Sequence, residues 1–240
     1  MYNPEIKVLS CTTDPEALVM LAASQAIMKD PAKSMANQDG VIRFCYKAGH
    51  GSVLEHAVLS MRVTNVSRNF MAQIRTHRLA SFTCSSQHYQ DYTDYPHVCP
   101  EINDPELMSE FMRSVSDGNK LYERLVAAGV PVYEARYAML PTATVNMIIT
   151  ANAREWARIL NLRLCERNVP EMRAFARKAN EVLRKWFPSL FNHVGPDCYE
   201  LGHCTQGKMT CGRLIRMAKQ AKLDNTAEQA KLDNPAYCKG

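Results

Sequence analysis

QIRTHRLASFTCSSQHY, residues Gln73 to Tyr89, passes from a helical to a strand-like pattern within a few positions and contains no proline. Just upstream, Ser67 is placed to cap a short helix, SRNFMAQIRTHR, whose Phe70, Met71 and Ile74 keep helical spacing. Arg75, Thr76, His77 and Arg78 then crowd the last turn, where unpaired carbonyls favour cations. Beyond Leu79, the residues Ser81, Thr83, Ser85 and Ser86 lead to His88 and Tyr89 in the manner of a strand edge. A rigid helix therefore hands its basic end to a hydroxyl-lined edge. Guanidinium forks suit phosphate, and hydroxyls and amides suit the edges of a heteroaromatic ring, so the junction reads as a site for an anionic, ring-bearing ligand. The plainer alternative is a solvated helix end followed by an edge strand.

Composition sets the frame around this junction. With 46% hydrophobic and 22% charged residues, the 240-residue chain is an ordinary globular one, and a largely disordered chain is excluded. One domain with a tail is the expected division, with a catalytic-type domain over 1–195 and a cysteine-containing extension over 196–240. The net charge of +5 is modest and the arginines gather in separate segments, which favours small anionic ligands over a stable nucleic acid partner. No apolar run approaches the roughly 20 residues that span a bilayer, and MYNPEIKV has no signal-peptide pattern, so the expected location is cytoplasmic, with no membrane contact. Nine cysteines, odd in number and widely spread, read as reduced thiols.

In chain order, a strand IKVLSCTT precedes a helix PEALVMLAASQAIMK that starts at Asp14-Pro15. A second helix, near residues 37–48, is expected to turn Val41, Ile42 and Phe44 inward and to stop at Gly49. His50-Gly51-Ser52-Val53-Leu54-Glu55-His56 reads as a small polar loop ahead of the strand AVLSMRVTNV. Its spacing is not His-Glu-x-x-His, and no metal is expected there. After Tyr89, QDYTDYPHVCPEINDP reads as an irregular loop over the site, followed by a long helix from Asp104-Pro105 through Val126. That helix is expected to bury Leu107, Phe111, Val115, Leu121 and Leu125. Arg136 falls just before a turn, TATVNMIIT reads as a buried strand, and Asn152 is placed to cap a helix carrying Arg154, Arg158, Arg163 and Arg167. Those arginines form a cationic wall, or else pair with Glu155 and Glu166. A last amphipathic helix follows Pro170. In the extension, Cys198, Cys204 and Cys211 with His193 or His203 include zinc-ligand types, but the gaps exceed a Cys-x-x-Cys knuckle, and reduced structural cysteines are the simpler reading. A short repeat, AKLDN, occurs at 221–225 and again at 230–234.

Thr76-His77-Arg78, seven residues, then Ser86-Gln87 resembles the signature of the flavin-dependent thymidylate synthases, Arg-His-Arg, seven residues, Ser. Gln73, Ser81 and Tyr89 occupy further places of that pattern. His50, Ser52, Glu55 and His56 are similar to the family's His-x-Ser/Thr-x-x-Glu-His segment. Ala135-Arg136, Leu140-Pro141, Asn152-Ala153-Arg154 and Asn161-Leu162-Arg163 match its C-terminal half in order and spacing. Thr76, Thr83 and His88 depart from the pattern, as do Arg158 and Arg167, which stand where Asn and His are usual. The Thr-His-Arg variant resembles UMP C5-methylases of polyoxin-type nucleoside antibiotic pathways.

The resemblance implies an α/β fold with a largely antiparallel sheet flanked by helices, a homotetramer, and active sites at subunit interfaces. It implies reductive C5-methylation of a uridine monophosphate, UMP, dUMP or both, with FAD as cofactor, NADPH as reductant and methylenetetrahydrofolate as carbon donor. Substrate contacts would come from Gln73, Thr76, Arg78, Ser86, Gln87, His88, Arg136 and Arg163, with Arg163 the catalytic group facing the uracil ring. Flavin contacts would come from His50, Ser52, Glu55, Thr76, His77, Arg78, Asn152, Arg154 and Arg158. The alternatives are an ordinary dUMP-specific synthase, a flavin oxidoreductase that has lost methyl transfer, and an RNA- or nucleotide-binding protein.

Overall fold

The computed structural model describes residues 2–27, 37–89, 92–93 and 95–220. The repeated AKLDN segments lie outside these residues. Four antiparallel strands, β1 (Glu5–Cys11), β2 (Val58–Ser67), β3 (Ser81–Cys84) and β4 (Thr144–Asn152), lie in the order β1-β2-β4-β3. The long central pair runs from Val58 opposite Asn152 to Ser67 opposite Thr144. Alternation sets the layers: Leu59, Met61 and Val63 of β2 and Val145, Met147, Ile149 and Ala151 of β4 point to one buried face. On the other face, the hydroxyls of Ser60 and Thr150 meet at 2.8 Å.

Helices cover the apolar face. α1 (Pro15–Ala26) begins at Asp14, whose side chain accepts from the Ala17 amide, and α2 (Gln38–Lys47) follows it. α2 buries Ile42 and Cys45, whereas Phe44, expected inside, is 62% exposed with its ring 5.7 Å from that of His50. The helix ends at Gly49, whose φ of +81° is the left-handed turn glycine adopts without strain. The expected polar loop at 50–56 is a 3₁₀ helix, Gly51–His56, because Val53 and Leu54 are drawn into the core.

The two central strands each pass into a helix with no linker. Ser67 ends β2 and caps α3 (Arg68–Ile74), accepting from the Phe70 amide. Asn152 ends β4 and caps α6 (Ala153–Arg163), accepting from the Glu155 amide. Since β2 and β4 are antiparallel, α3 and α6 leave opposite ends of the pair and return over one face toward each other. α7 (Pro170–Trp186) packs beneath them through Met172, Phe175, Ala176, Ala179 and Leu183. Its buried Glu171 accepts both the Ser67 amide and the Ser67 hydroxyl at 2.6 Å. That hydroxyl in turn accepts from the Phe70 amide, so α7 fixes the start of α3.

A second, smaller core joins Tyr92 and Tyr95 to α4 (Pro105–Ala127) and α5 (Val132–Ala135). Tyr92 and Tyr122 are fully buried there with Ala135, Met139 and Ala143. Gly118 is required: a Cβ would stand 2.9 Å from the Ala138 carbonyl, on the turn that carries Arg136. The expected stripe of α4 holds only in part. Val115 is buried, but Leu107 and Leu121 are exposed, and Met112 joins them, because no helix or strand among the described residues covers that face.

Removing the Ser67 hydroxyl takes a cap from α3 and a donor from a buried carboxylate. Ser67→Ala is expected to lower stability by about 2–3 kcal/mol. Urea denaturation checks this: the midpoint falls while the slope is unchanged.

Candidate active site

The ends of α3 and α6 meet at a buried histidine. α3 stops at Ile74, so Thr76, His77 and Arg78 lie in the turn after it and not in its last helical turn as the spacing suggested. The His77 residue is 5% exposed and its Nδ1 lies 3.2 Å from Glu155 Oε1, itself 5% exposed in the first turn of α6. On the other side of the ring, Arg163 Nε donates to His77 Nε2 at 2.9 Å. A guanidinium can only donate. Nε2 is therefore the acceptor, and the ring proton belongs on Nδ1, directed at Glu155.

The rest of the Arg163 fork is held by the turn. Nη2 donates to the Gln73 carbonyl at 3.1 Å and to Thr76 Oγ1 at 3.0 Å, and Thr76 Oγ1 donates to the same carbonyl at 2.9 Å. Nη1 has no partner among the described residues. Burial draws the Arg163 guanidinium below its ordinary value, although a guanidinium remains charged throughout the physiological range. Gln73 Oε1 is a buried acceptor with no partner among the described residues. Thr76 and Arg78 line an open groove of about 530 Å³ with Met71, Ala72 and Arg75.

A second group surrounds the start of α6. Arg154 donates to Glu55 at 2.6 Å across Gly51, where a Cβ would stand 2.5 Å from Arg154 Nε. Gly51 is thus the cradle on which Arg154 lies. Arg158, one helical turn further along α6, stands 3.6 Å from Asp197. Both guanidiniums are about half exposed. His50, Ser52 and Glu55 are exposed, but of the three only Glu55 is paired with these guanidiniums: the His50 ring lies 5.7 Å from that of Phe44, and Ser52 lines a groove with His56 and α1. Arg167, expected on the same helix, lies beyond its end and donates to the Met209 carbonyl at 2.7 Å.

A third group stands apart. Ser86, just past β3, accepts from the His88 amide at 3.1 Å, and the His88 ring stacks on Tyr133 of α5 at 5.0 Å. Gln87 is half-buried between them in sequence. Arg136 lies on the next turn, with its guanidinium 5.6 Å from the Tyr137 ring. Among the described residues, no hydrogen bond, ion pair or ring contact joins Ser86, His88 or Arg136 to the Arg163 group. Burial pushes the Cys84 thiol up, with Arg75 and Arg68 pulling the other way, so it is a poor nucleophile at neutral pH.

Two residues escaped the sequence reading as parts of this arrangement. Glu155, which the sequence offered only as an alternative partner for the arginines, turns inward to His77; Asn152 with Glu155 three residues later is a capping-box spacing. Tyr133 carries no local signal, since its partner His88 is 45 residues away in the sequence.

The helix-covered antiparallel sheet, with guanidinium groups carried at both ends of α6, defines the class as an α/β fold. Residues 7–189 match the family described as thymidylate synthase complementing protein. The flavin-dependent thymidylate synthase of Geobacter sulfurreducens is 34% identical over 90% of this chain and 97% of its own. That of Sulfurisphaera tokodaii is 31% identical over 80% and 78%, and that of Clostridium tetani 27% over 90% and 96%. The chain belongs to the flavin-dependent thymidylate synthase family.

The hydrogen-bond pattern at His77 has a direct spectroscopic consequence. Correlation of its ring nitrogens with their carbon-bound protons is expected to show the neutral ring with its proton on Nδ1. A dominant Nε2-H form would overturn the donor from Arg163.

Proposed function

We propose that the protein catalyses reductive C5-methylation of a uridine monophosphate, UMP, dUMP or both. Methylenetetrahydrofolate provides the carbon and NADPH the reducing equivalents; the products are the 5-methyl nucleotide, tetrahydrofolate and NADP⁺. The carrying observation is the Arg163 guanidinium, locked by His77, Thr76 and Gln73 with one nitrogen left for a ligand. Family membership and the names of the relatives support the reaction type.

The residues fit FAD. Arg154 and Arg158 present two half-exposed guanidiniums one turn apart, a spacing suited to a diphosphate, with Glu55 paired to the first; His50 and Ser52, exposed at the start of the 3₁₀ helix that carries Glu55, are the further contacts proposed for the cofactor. Their partners Glu55 and Asp197 form exposed ion pairs, worth about 0–1 kcal/mol, which an anionic ligand displaces at little cost. Bound flavin would supply the reducing hydride. Arg163 stabilises negative charge developing on the pyrimidine carbonyls, and it needs no reorganisation because its fork is already fixed. Neutral His77 holds the guanidinium in register and takes no proton from the substrate, since its acceptor nitrogen is already used. Gln73 Oε1 accepts a ring or sugar donor, while Arg78, Ser86, Gln87, His88 and Arg136 bind the phosphate and the sugar.

Thr76 is the departure with a structural consequence. Where the family has arginine, its short hydroxyl supports Arg163 and leaves room in the groove beside Arg78, which favours a substrate with a 2′-hydroxyl. The lack of any direct contact between Arg163 and Ser86 or Arg136 among the described residues is compatible with a site completed by a second subunit. The exposed Leu107, Met112 and Leu121 of α4 offer apolar surface for such an assembly.

Purified protein given each nucleotide with methylenetetrahydrofolate, FAD and NADPH is expected to yield a methylated product, read by mass spectrometry. Product from neither nucleotide overturns the reaction, and flavin reoxidation alone would identify an oxidoreductase. Product from dUMP alone overturns the accommodation of the 2′-hydroxyl. Light scattering on the active protein is expected to give a homotetramer; active monomer would overturn the shared site.

A further inference from the structure

Beyond Pro196 the chain changes character. Among residues 197–220 no side chain is buried, yet backbone helical turns form at 197–201, 207–209 and 213–220. A segment this short, without a core of its own, needs another source of order, which in small folds is commonly a cross-link or a bound metal. Part of that order comes from pairing with the middle of α6 and the turn after it: Arg158 with Asp197, Arg167 with the Met209 carbonyl, and Arg213 with Glu166. These contacts are at least partly exposed and individually weak.

The cysteines of this segment stand out against their neighbours. Cys204 is the one residue of 201–210 that is not exposed, and Cys198 and Cys211 are likewise half-buried. All three line a single pocket of about 260 Å³, together with Cys165 from the turn after α6. Four thiols, three from the extension and one from the turn after α6, thus line one small space.

We propose that Cys165, Cys198, Cys204 and Cys211 form a tetrathiolate site for one zinc ion, which fastens the C-terminal extension to the end of the arginine-bearing helix. Four sulfur ligands satisfy the tetrahedral preference of zinc, and a structural site of this kind contributes folding energy directly. Among the described residues no three such groups stand in metal-holding geometry, so binding requires the thiols to rotate inward across the pocket. The long gaps between the cysteines, which argue against a zinc knuckle, are spanned by the fold: the fourth ligand comes from the turn after α6, more than thirty residues before Cys198. Binding releases protons as the thiols become thiolates, and no oxidant or reductant is needed.

The test uses the full chain, produced without a metal-binding tag in zinc-supplemented medium. Elemental analysis is expected to find about one zinc per chain. Cobalt substitution is expected to give the intense sulfur-to-cobalt charge-transfer bands of a thiolate site. Cys198→Ser and Cys211→Ser lose the zinc, whereas Cys11→Ser, on an exposed strand, keeps it. Should the serine variants fail to fold, the zinc content and cobalt spectrum of the unaltered chain still decide. Zinc-free protein with reactive thiols, a disulfide among the four, iron with acid-labile sulfide, or zinc retained by both serine variants would each overturn the assignment. None of these readouts depends on methylation activity.

Discussion

A buried imidazole between a carboxylate and a guanidinium holds the two ends of this site together. Glu155, His77 and Arg163 come from the first turn of α6, the turn after α3 and the last turn of α6, so the hydrogen-bonded chain ties both helices to one geometry. Burying such groups is favourable only when each finds its partner. Glu155 has the imidazole N–H, Arg163 has the imidazole nitrogen, a carbonyl and a hydroxyl, and the ring is used on both sides. The fork is therefore set before any ligand arrives. In the catalysis proposed here, that prior arrangement is the protein's main contribution, since bond-making is left to the cofactor and the carbon donor.

The helical arginines illustrate how position along one element divides labour. α6 rises about 1.5 Å per residue, so Arg154 and Arg163 stand roughly 14 Å apart along it. The first lies over Gly51 at the sheet end of the helix, where two half-exposed guanidiniums face outward. The last is half-buried and fully oriented. Exposed, loosely paired cations suit phosphates that come and go, and a fixed, desolvated one suits charge that develops during reaction. One helix carries both kinds because its start is capped at the sheet and its end is locked by His77.

Much of this was legible at the two strand-to-helix junctions, β2 into α3 and β4 into α6, because local rules agree there with the fold. Ser67 and Asn152 are cap residues at the starts of periodic apolar runs, and both cap as their identities suggest. Alternation in β2 placed Leu59, Met61 and Val63 on the core face. The misreadings have a common cause. Phe44, Leu107 and Leu121 keep helical spacing, but spacing says which side chains share a face, not whether the chain supplies anything to cover it. His50–His56 looked like a loop because its polar residues are conspicuous, while two apolar ones, Val53 and Leu54, decide its conformation. The inward turn of Glu155 and the stacking of His88 on Tyr133 depend on partners 78 and 45 residues away, beyond any local pattern.

The two linker-free junctions, Ser67 into α3 and Asn152 into α6, also govern how this protein comes together. β2 and β4 are separated by more than seventy residues, and neither helix is aimed until that pairing has formed. α3, at seven residues, is too short to persist alone in water, so His77 has no place to sit in a partly folded chain. Closure of so long a loop must come first, and it is a slow event. The ligand-binding groups accordingly appear together, late, as a single cooperative event, and nascent polypeptide lacking β4 carries the whole signature segment without any of its chemistry.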